Sequence, residues 1–247
     1  MPVVSLDALA RRVRATLPRA GSTTVVAVDG PAGSGKTTLA ERLAARLDDA
    51  PVVHMDDLYP GWDGLAHAAT AVAEQVLVPL AAGRPARYRR WDWHAGRYAE
   101  WVEVPSAPIL VVEGCGSGST PGAAYLALLL WVEAPHDVRM ARGIERDGDD
   151  FRPYWERWAR QEDALFAAEH TRERADLRID TASAVPHDPL RDVVGEAGDE
   201  PVSDLRPGGP GRPAMRGGRR TPRDRRFEAP SQGDHPRGHA RPDDISG

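Results

Sequence analysis

After residue 22, the chain alternates between two patterns of apolar and polar residues. Short apolar runs predict five strands, at residues 23–29, 52–55, 109–112, 126–132 and 177–180. Apolar residues spaced three or four apart predict four helices between these strands, at residues 37–47, 65–82, 135–146 and 153–170. The runs at 109–112 and 126–132 are apolar at every position, which is typical of parallel strands buried on both faces. Alternation of this kind favours an α/β fold with a mostly parallel sheet.

Two further segments have patterns of their own. Residues 87–93 and 98–104 alternate polar and apolar around a short polar turn, which predicts a β-hairpin. Residues 5–17 predict an N-terminal amphipathic helix capped by Ser5. The residues expected on its apolar face are Leu6, Leu9, Val13 and Leu17.

These patterns divide the chain into three parts. Residues 1–20 hold the N-terminal helix, residues 21–185 form the predicted α/β domain, and residues 186–247 form a tail rich in arginine, proline and glycine. From Gly195 onward the tail holds ten glycines and eight prolines but few large apolar residues. It cannot bury enough apolar surface to offset the entropy lost on ordering, so it is predicted to be disordered.

Charge and composition limit the partners. The net charge of −5 favours neither nucleic acid nor a membrane surface, and no apolar run reaches membrane-spanning length. The arginine-rich run at residues 216–226 leaves a nucleic-acid arm as an alternative, although its interspersed acids favour a tail without a specific role. A single cysteine, Cys115, excludes a disulfide framework, so a cytoplasmic location is expected. The sequence does not indicate an oligomeric state.

The stretch GPAGSGKT, from Gly30 to Thr37, matches the phosphate-loop pattern G-x-x-x-x-G-K-[ST] between a predicted strand and a predicted helix. Its glycines let the backbone amides converge on phosphate groups, and Lys36, the only lysine of the chain, would reach the β- and γ-phosphates. The hydroxyl of Thr37 would bind Mg²⁺. The expected cofactors are therefore ATP and Mg²⁺. The residues expected to bind the nucleotide are Gly30, Ala32, Gly33, Ser34, Gly35, Lys36, Thr37 and Thr38.

Carboxylates follow two of the other predicted strands. Asp56 lies in HMDDLYP, just after the second strand, where it could accept a proton from a substrate hydroxyl or hold metal-bound water. Glu113 ends the strand ILVVE and could complete the magnesium site with Thr37. The alternatives are a solvated turn for Asp56 and an ion pair with an arginine for Glu113.

At this point the chain resembles the uridine kinase-like branch of the P-loop small-molecule kinases. The resemblance covers residues 22–181 and rests on VDGPAGSGKTTL, HMDDLY, RRWDW, LVVEG and DVRMARGIERD, in that order. It implies a three-layer fold of the P-loop nucleoside triphosphate hydrolase type, with a mostly parallel sheet, a hairpin insertion and a helical lid.

The resemblance also implies roles for individual residues. Asp56 would be the catalytic base toward a hydroxyl of the acceptor, and Tyr59 would line the acceptor pocket. Trp91 and Trp93 would flank the acceptor, with Asp92 between them. Aromatic walls suit a flat ring, but alternating aromatic residues are also ordinary strand chemistry, so tryptophans that merely pack under the hairpin are the alternative.

Three arginines share one face of the helix predicted at residues 135–146: Arg139, Arg142 and Arg146. Beside a lid loop at Gly148, Arg146 would neutralise charge on the migrating phosphoryl group and Arg142 would bind the nucleotide. Gly143 stands where the family commonly has a neighbouring arginine. The alternative is an exposed helix whose arginines pair with neighbouring acids.

The leading functional prediction is an ATP- and magnesium-dependent kinase that acts on a hydroxyl of a small metabolite, with a nucleoside as one candidate. The chain lacks the acidic ribose-binding segment expected after Tyr59 in a uridine kinase. Two alternatives stay open. A nucleotide kinase would use arginines near the hairpin to bind the acceptor phosphate, and an ATP-dependent regulatory switch would have no need of an acceptor cleft.

Overall fold

A computed structural model describes residues 1–147 and 152–198 of the 247-residue chain. Within these residues, nine strands form a seven-stranded sheet and a separate two-stranded hairpin. The strands are β1 (Val3–Ser5), β2 (Thr24–Asp29), β3 (Val52–His54), β4 (Arg87–Asp92), β5 (Arg97–Glu103), β6 (Ile109–Glu113), β7 (Leu126–Glu133), β8 (Leu177–Asp180) and β9 (Asp192–Ala197).

The order of strands in the large sheet is β1-β9-β8-β7-β2-β6-β3. The five strands from β8 to β3 are mutually parallel, whereas β9 and β1 continue the sheet in antiparallel pairs. Strands β3 and β6, which follow β2 along the chain, lie on one side of β2, and β7 lies on its other side. Ligands of open α/β sheets bind at the carboxyl ends of strands where the order reverses in this way. The fold therefore places a site beyond Asp29, the last residue of β2.

Helices cover both faces of the large sheet. The alternate residues of β2 divide between two cores: Val25 and Ala27 belong to one, and Val26 and Val28 to the other. The α-helices are α1 (Leu6–Ala15), α2 (Lys36–Ala45), α3 (Leu65–Val72), α4 (Val78–Ala81), α5 (Thr120–Ala123), α6 (His136–Asp147) and α7 (Arg152–Glu169). The predicted α/β fold with a mostly parallel sheet is confirmed.

The helix predicted over residues 65–82 is divided in the structure. A π-helical segment, Ala73–Leu77, joins α3 to α4. The prediction already placed a disturbance near Pro79, which lies in the first turn of α4. Proline supplies no amide for the hydrogen-bond ladder, which explains why the regular α pattern is interrupted before it.

The N-terminal helix contributes to the core of the large sheet. Leu6, Leu9 and Val13 are buried with α2, in agreement with the predicted apolar face. Leu17, the fourth residue of that predicted face, is 80% exposed. The helix ends at Ala15, and Leu17 precedes a proline, which disfavours helical backbone at that position.

The prediction of disorder from residue 186 is wrong for residues 192–197. These residues form β9, which pairs with β1 and β8, and Val194 is buried. The composition of the whole tail is polar, so it did not indicate the short apolar pair Val193 and Val194. These two residues lie in a strand that pairs with β1 and β8. The predicted lid loop at Gly148 and the tail from residue 199 lie outside the described residues. Among the residues described, none of the helices has the length and apolar character needed to cross a membrane.

Candidate active site

The phosphate loop, residues 30–37, connects β2 to α2 at the carboxyl edge of the sheet. Gly30 and Gly33 have φ angles of 139° and 74°, values that side chains rarely adopt. A Cβ atom on Gly30 would lie 2.0 Å from the carbonyl oxygen of Val132, and one on Gly33 would lie 2.2 Å from that of Arg139. The loop therefore requires glycine for conformation and for close packing. With Gly35 as the N-cap, the positive end of the α2 dipole faces the loop.

Lys36 is buried in the first turn of α2, and its ammonium donates a hydrogen bond of 2.9 Å to the carbonyl oxygen of Pro31. Burial by itself lowers the pKa of Lys36, but the surrounding acidic groups, Cys115, Glu162 and Glu113 among them, outweigh burial, so the pKa is raised overall. The side chain is therefore a permanent positive charge enclosed by the loop. Such a charge suits a bound polyanion.

Thr37 and Glu113, predicted as a metal pair, lie together. The hydroxyl of Thr37 is 3.3 and 3.2 Å from the two carboxylate oxygens of Glu113, which is buried at the end of β6. The same carboxylate forms a hydrogen bond of 2.6 Å with Nδ1 of His54, and this bond raises the pKa of His54. His54, which the sequence did not single out as a functional residue, thus fixes the orientation of Glu113.

Asp56 lies in a 3₁₀ turn, Met55–Asp57, that directly follows β3. It is accessible to solvent but lies in a concave cleft surrounded by protein atoms. Desolvation in this cleft raises the pKa of Asp56, and the nearby Glu113 raises it further, whereas Lys36 and Arg146 oppose the shift. A carboxylate whose pKa is raised above its usual value is a stronger proton acceptor than an ordinary aspartate.

One cavity of about 390 Å³ brings most of these residues together. The phosphate loop contributes Ala32, Gly33, Lys36 and Thr37. The other predicted site residues at its surface are Asp56, Tyr59, Trp93, Glu113 and Arg146. The sequence did not predict the remaining lining residues, which are Trp62, Gly114, Cys115, Tyr154 and Trp158.

A buried acid that sequence reasoning missed holds the phosphate loop from α7. One carboxylate oxygen of Glu162 accepts hydrogen bonds from the amide of Ala32 at 2.7 Å, the thiol of Cys115 at 2.9 Å and Nε1 of Trp158 at 2.8 Å. Arg139 donates to the carbonyl oxygen of Ala32 at 3.2 Å, and its guanidinium is 3.9 Å from Glu162. The amide of Ala32 is therefore bonded to α7 and its carbonyl oxygen to α6, the two helices that flank the site. The sequence offered one signal: Glu162 lies four residues after Trp158 on the helix predicted at residues 153–170, and so on the same face as a large apolar residue.

Two predicted nucleotide-binding residues, Thr38 and Arg142, lie at a second cavity of about 240 Å³ that adjoins the loop at Gly35. Arg142 donates hydrogen bonds of 2.9 and 3.1 Å to the hydroxyl and carbonyl oxygens of Thr181. Thr181 donates in turn to the carbonyl oxygen of Ser34 at 2.7 Å. Arg142 thus supports the phosphate loop through Thr181, in contrast to Arg146, which faces Asp56 in the first cavity.

The structure does not bring Trp91 and Asp92 to the first cavity. Asp92 accepts hydrogen bonds from the amides of His94 and Ala95 and so closes the turn of the hairpin. Trp91 packs edge-on against Tyr98 of the neighbouring strand at a centroid distance of 5.1 Å. Trp91 therefore follows the alternative of a tryptophan that packs within the hairpin, and Asp92 is a turn residue. The strand ends at Asp92, and the turn that begins there carries Trp93 alone to the site.

The residues present fit a magnesium-bound nucleotide. The buried hydroxyl of Ser34, inside the loop, has no hydrogen-bond partner among the described residues. No cluster of three or more histidine, cysteine or acidic residues that could hold a metal occurs in residues 1–147 and 152–198. Thr37 and Glu113 offer instead a hydroxyl and one carboxylate. This matches Mg²⁺, which commonly uses one or two carboxylates together with substrate phosphates.

Comparison with known proteins bears on the fold. No model of a known family and no curated protein matches the chain. A possible uridine kinase from Bacillus stearothermophilus aligns with a TM-score of 0.52 and 21% identity, over 70% of this chain and 96% of that one. A candidate fructose transport system kinase from a Silicibacter species aligns with a TM-score of 0.48 and 22% identity, over 66% of this chain and 95% of that one. By the first of these likenesses, the chain shares the fold of that protein, and the three-layer α/β fold that the uridine kinase-like resemblance implied is confirmed.

Proposed function

We propose that the protein is a kinase that transfers the γ-phosphoryl group of ATP to a hydroxyl group of a small molecule, with Mg²⁺ as cofactor. The observation that carries this proposal is the shared cavity. Lys36 and Thr37 of the phosphate loop, the carboxylate of Glu113 and the solvent-accessible carboxylate of Asp56 all line it. A phosphate site and a proton acceptor in one cleft are the two parts that transfer to a hydroxyl requires.

Each residue then has a defined role. The amides of residues 30–37 and the ammonium of Lys36 bind the phosphates, and the second cavity, at Thr38 and Arg142, receives the nucleoside. Thr37 and Glu113 would hold Mg²⁺, which when bound would offset negative charge on the phosphates. Asp56 accepts the acceptor hydroxyl proton as the new oxygen–phosphorus bond forms and the bond to the β-phosphate oxygen breaks. Arg146 stabilises charge on the transferred group.

A nucleotide kinase is less well supported. Its acceptor is a phosphate, which needs no proton acceptor, so the placement of Asp56 would have no purpose. The arginines considered for that role are Arg84, Arg87, Arg89 and Arg90. Two of them make other contacts: Arg90 pairs with Glu100, and Arg87 lies near Glu103 and over the ring of Trp101. Neither of these arginines lines the first cavity.

Changing Asp56 to Asn tests the proposal. Removal of a positioned base should reduce the acceptor-dependent release of ADP by about a hundredfold or more. The affinity for ATP should stay nearly unchanged because Asp56 lies outside the phosphate loop. Asp57→Asn is the matched control, since Asp57 accepts a hydrogen bond from Tyr88 and does not line the cavity.

The outcomes separate the candidates. Near-normal turnover in the Asp56 variant would remove Asp56 from the role of base. ATP turnover that does not respond to any added alcohol, sugar or nucleoside would favour the regulatory switch over the kinase.

A further inference from the structure

The half of the first cavity that faces away from the phosphate loop is aromatic. Trp62 lies at the centre of this cluster. Its ring is nearly parallel to that of Tyr154, at a centroid distance of 4.5 Å, and lies 5.0 Å from Trp93 and 6.2 Å from Trp158. Tyr59 packs edge-on against Trp158 at 4.8 Å. All five rings line the cavity, and they come from the segment after β3, the hairpin turn and α7.

Three of these rings have their polar atoms bonded to protein groups. The hydroxyl of Tyr59 donates a hydrogen bond of 2.8 Å to the carbonyl oxygen of Cys115. Nε1 of Trp93 donates one of 2.8 Å to the backbone carbonyl oxygen of Asp56. Nε1 of Trp158 donates to Glu162, also at 2.8 Å. These rings therefore offer a ligand their carbon surfaces and little capacity for hydrogen bonds.

The charged groups of the cavity are concentrated with the phosphate machinery. Lys36, Thr37 and Glu113 belong to the nucleotide and metal site, which leaves Asp56 and Arg146 nearest the acceptor. Among the described residues that line the cavity, none is asparagine, glutamine, serine or histidine. An acceptor hydroxyl at Asp56 has a partner, but additional hydroxyls farther along the molecule would face a surface that is mostly aromatic carbon, with Tyr154 as the remaining side chain there that carries a hydroxyl.

We propose that the acceptor is a small aromatic or heteroaromatic alcohol, a flat ring that carries its hydroxyl on a short side chain, and not a sugar. This inference rests on the proposed kinase function. The ring would pack against the carbon surfaces of Trp93 and Trp62, while the hydroxyl reaches Asp56. A sugar would bury several hydroxyls without partners, and each would weaken binding by about tenfold.

The size of the cavity agrees with a single ring. About 390 Å³ is near the lower end of the range for ligand cavities. The same space also has to hold the transferred phosphoryl group. The remaining volume suits a compact ring that carries one reactive hydroxyl.

The first experiment compares acceptors on the full-length protein, with Mg²⁺ and ATP. Benzyl alcohol and the pyridinemethanols represent the proposed class, and fructose and uridine represent the alternatives. Release of ADP should be stimulated by at least one aromatic alcohol and not by fructose. Turnover with fructose or uridine, but with none of the aromatic alcohols, would overturn the proposed acceptor class while leaving a kinase.

The second experiment changes one residue of the aromatic wall, which consists of Tyr59, Trp62, Trp93, Tyr154 and Trp158. Trp93 is 40% exposed, so Trp93→Ala should fold, and it should raise KM for the aromatic alcohol about tenfold or more, with KM for ATP unchanged. Trp101→Ala is the matched control, because Trp101 is equally exposed on the same hairpin but does not line the cavity. An unchanged KM in the Trp93 variant would contradict the proposal. A wild-type protein that binds no ATP analogue, measured by calorimetry, would overturn the kinase function and the acceptor class together.

Discussion

At the carboxyl end of β2, a single side chain joins the two loops that meet at the site. The carboxylate of Asp29 accepts hydrogen bonds from the amides of Gly30 at 2.6 Å, Gly116 at 2.9 Å and Gly118 at 2.8 Å. Asp29 is fully buried, and burial raises its pKa to about 6 even though these amides and Lys36 lower it. The start of the phosphate loop therefore depends on a carboxylate whose charge is costly to bury.

The raised pKa of Asp29 predicts a pH dependence that Asp29→Asn should abolish. The carboxyl has a pKa of about 6 when folded and near 3.8 when unfolded, so the folded state binds more protons between these values. Stability from this group is fully present below the unfolded pKa and is lost as pH rises through the folded one. The free energy of unfolding of the wild type, minus that of the variant, should fall by about 2 kcal/mol from pH 4 to pH 7. Urea unfolding of both proteins across this range measures the difference.

A difference that stays constant with pH would show that Asp29 keeps an ordinary pKa. The variant should also be less stable at pH 7, because an asparagine amide supplies only one acceptor oxygen for three backbone donors. The expected loss is about 1–3 kcal/mol for each donor left without a partner.

The sequence predicts which residues lie together in the site where these residues are close along the chain. Residues 30–37 are contiguous, so their pattern alone predicted that Lys36 and Thr37 belong to the site. Glu113 and Asp56 followed from strand ends, because the carboxyl ends of parallel strands share one edge. Glu162 could not be found in this way, because its partner Ala32 is 130 positions away and only the packing of α7 brings them together.

At the scale of elements, α7 determines the shape of the site. It supplies Glu162 to the phosphate loop and Tyr154 and Trp158 to the aromatic wall. It also fastens the segment after β3, since Gln161 donates to the carbonyl oxygen of Trp62 at 2.6 Å and Arg157 pairs with Asp63. One helix thus contacts both the phosphate loop and the aromatic part of the cavity, so a shift of α7 would change both together.

Glu162→Ala should disturb the phosphate loop and lower stability. The change leaves the amide of Ala32, the thiol of Cys115 and the indole of Trp158 without their acceptor, and a buried unsatisfied donor costs about 1–3 kcal/mol. We expect a loss of about 3 kcal/mol or more in the free energy of unfolding and weaker binding of an ATP analogue. Chemical denaturation and calorimetry measure these two quantities. Glu156→Ala, on the exposed side of α7, is the control.

Glu162→Gln refines this test. Glutamine keeps an acceptor oxygen but removes the charge near Lys36 and Arg139. It should restore most of the stability lost in the alanine variant if hydrogen bonding to Ala32 is what matters. A glutamine variant as unstable as the alanine variant would show that the charge, and not the hydrogen bond, holds the loop.

For the molecule as a whole, the two ends of the described chain complete the sheet. β9 pairs with β8 on one side and with β1 on the other, and the amide of Leu6 donates to the carbonyl oxygen of Arg191 at 2.7 Å. The hydrophobic pattern predicted the parallel strands because each is an apolar run with a helix before or after it. It missed β1, an edge strand of only three residues, and β9, in which Val193 and Val194 are the only large apolar residues. Strands this short form only where a neighbouring strand is available to pair with them.

Two truncations separate the contribution of β9 from that of the tail. A chain that ends at residue 198 keeps β9 and should retain the wild-type free energy of unfolding and activity, if the predicted tail has no specific role. A chain that ends at residue 185 loses β9, exposes the edge of β8 and leaves β1 unpaired. Loss of the buried Val194 and of the ladder hydrogen bonds should cost at least about 3 kcal/mol. Thermal unfolding compares the two with the full chain.

Equal stability of the two truncated chains would mean that β9 adds nothing to the sheet, despite its burial and pairing. If the chain that ends at residue 198 loses activity while its stability is unchanged, the residues after 198 have a part in the reaction. The shorter chain also loses the carbonyl oxygens of Pro189 and Leu190, which accept hydrogen bonds from Arg42 and Arg46 of the segment after the phosphate loop, but the main difference is at the edge of β8. In one of them, β8 keeps a covered edge, and in the other its backbone donors and acceptors on that side are left to water or to a second molecule.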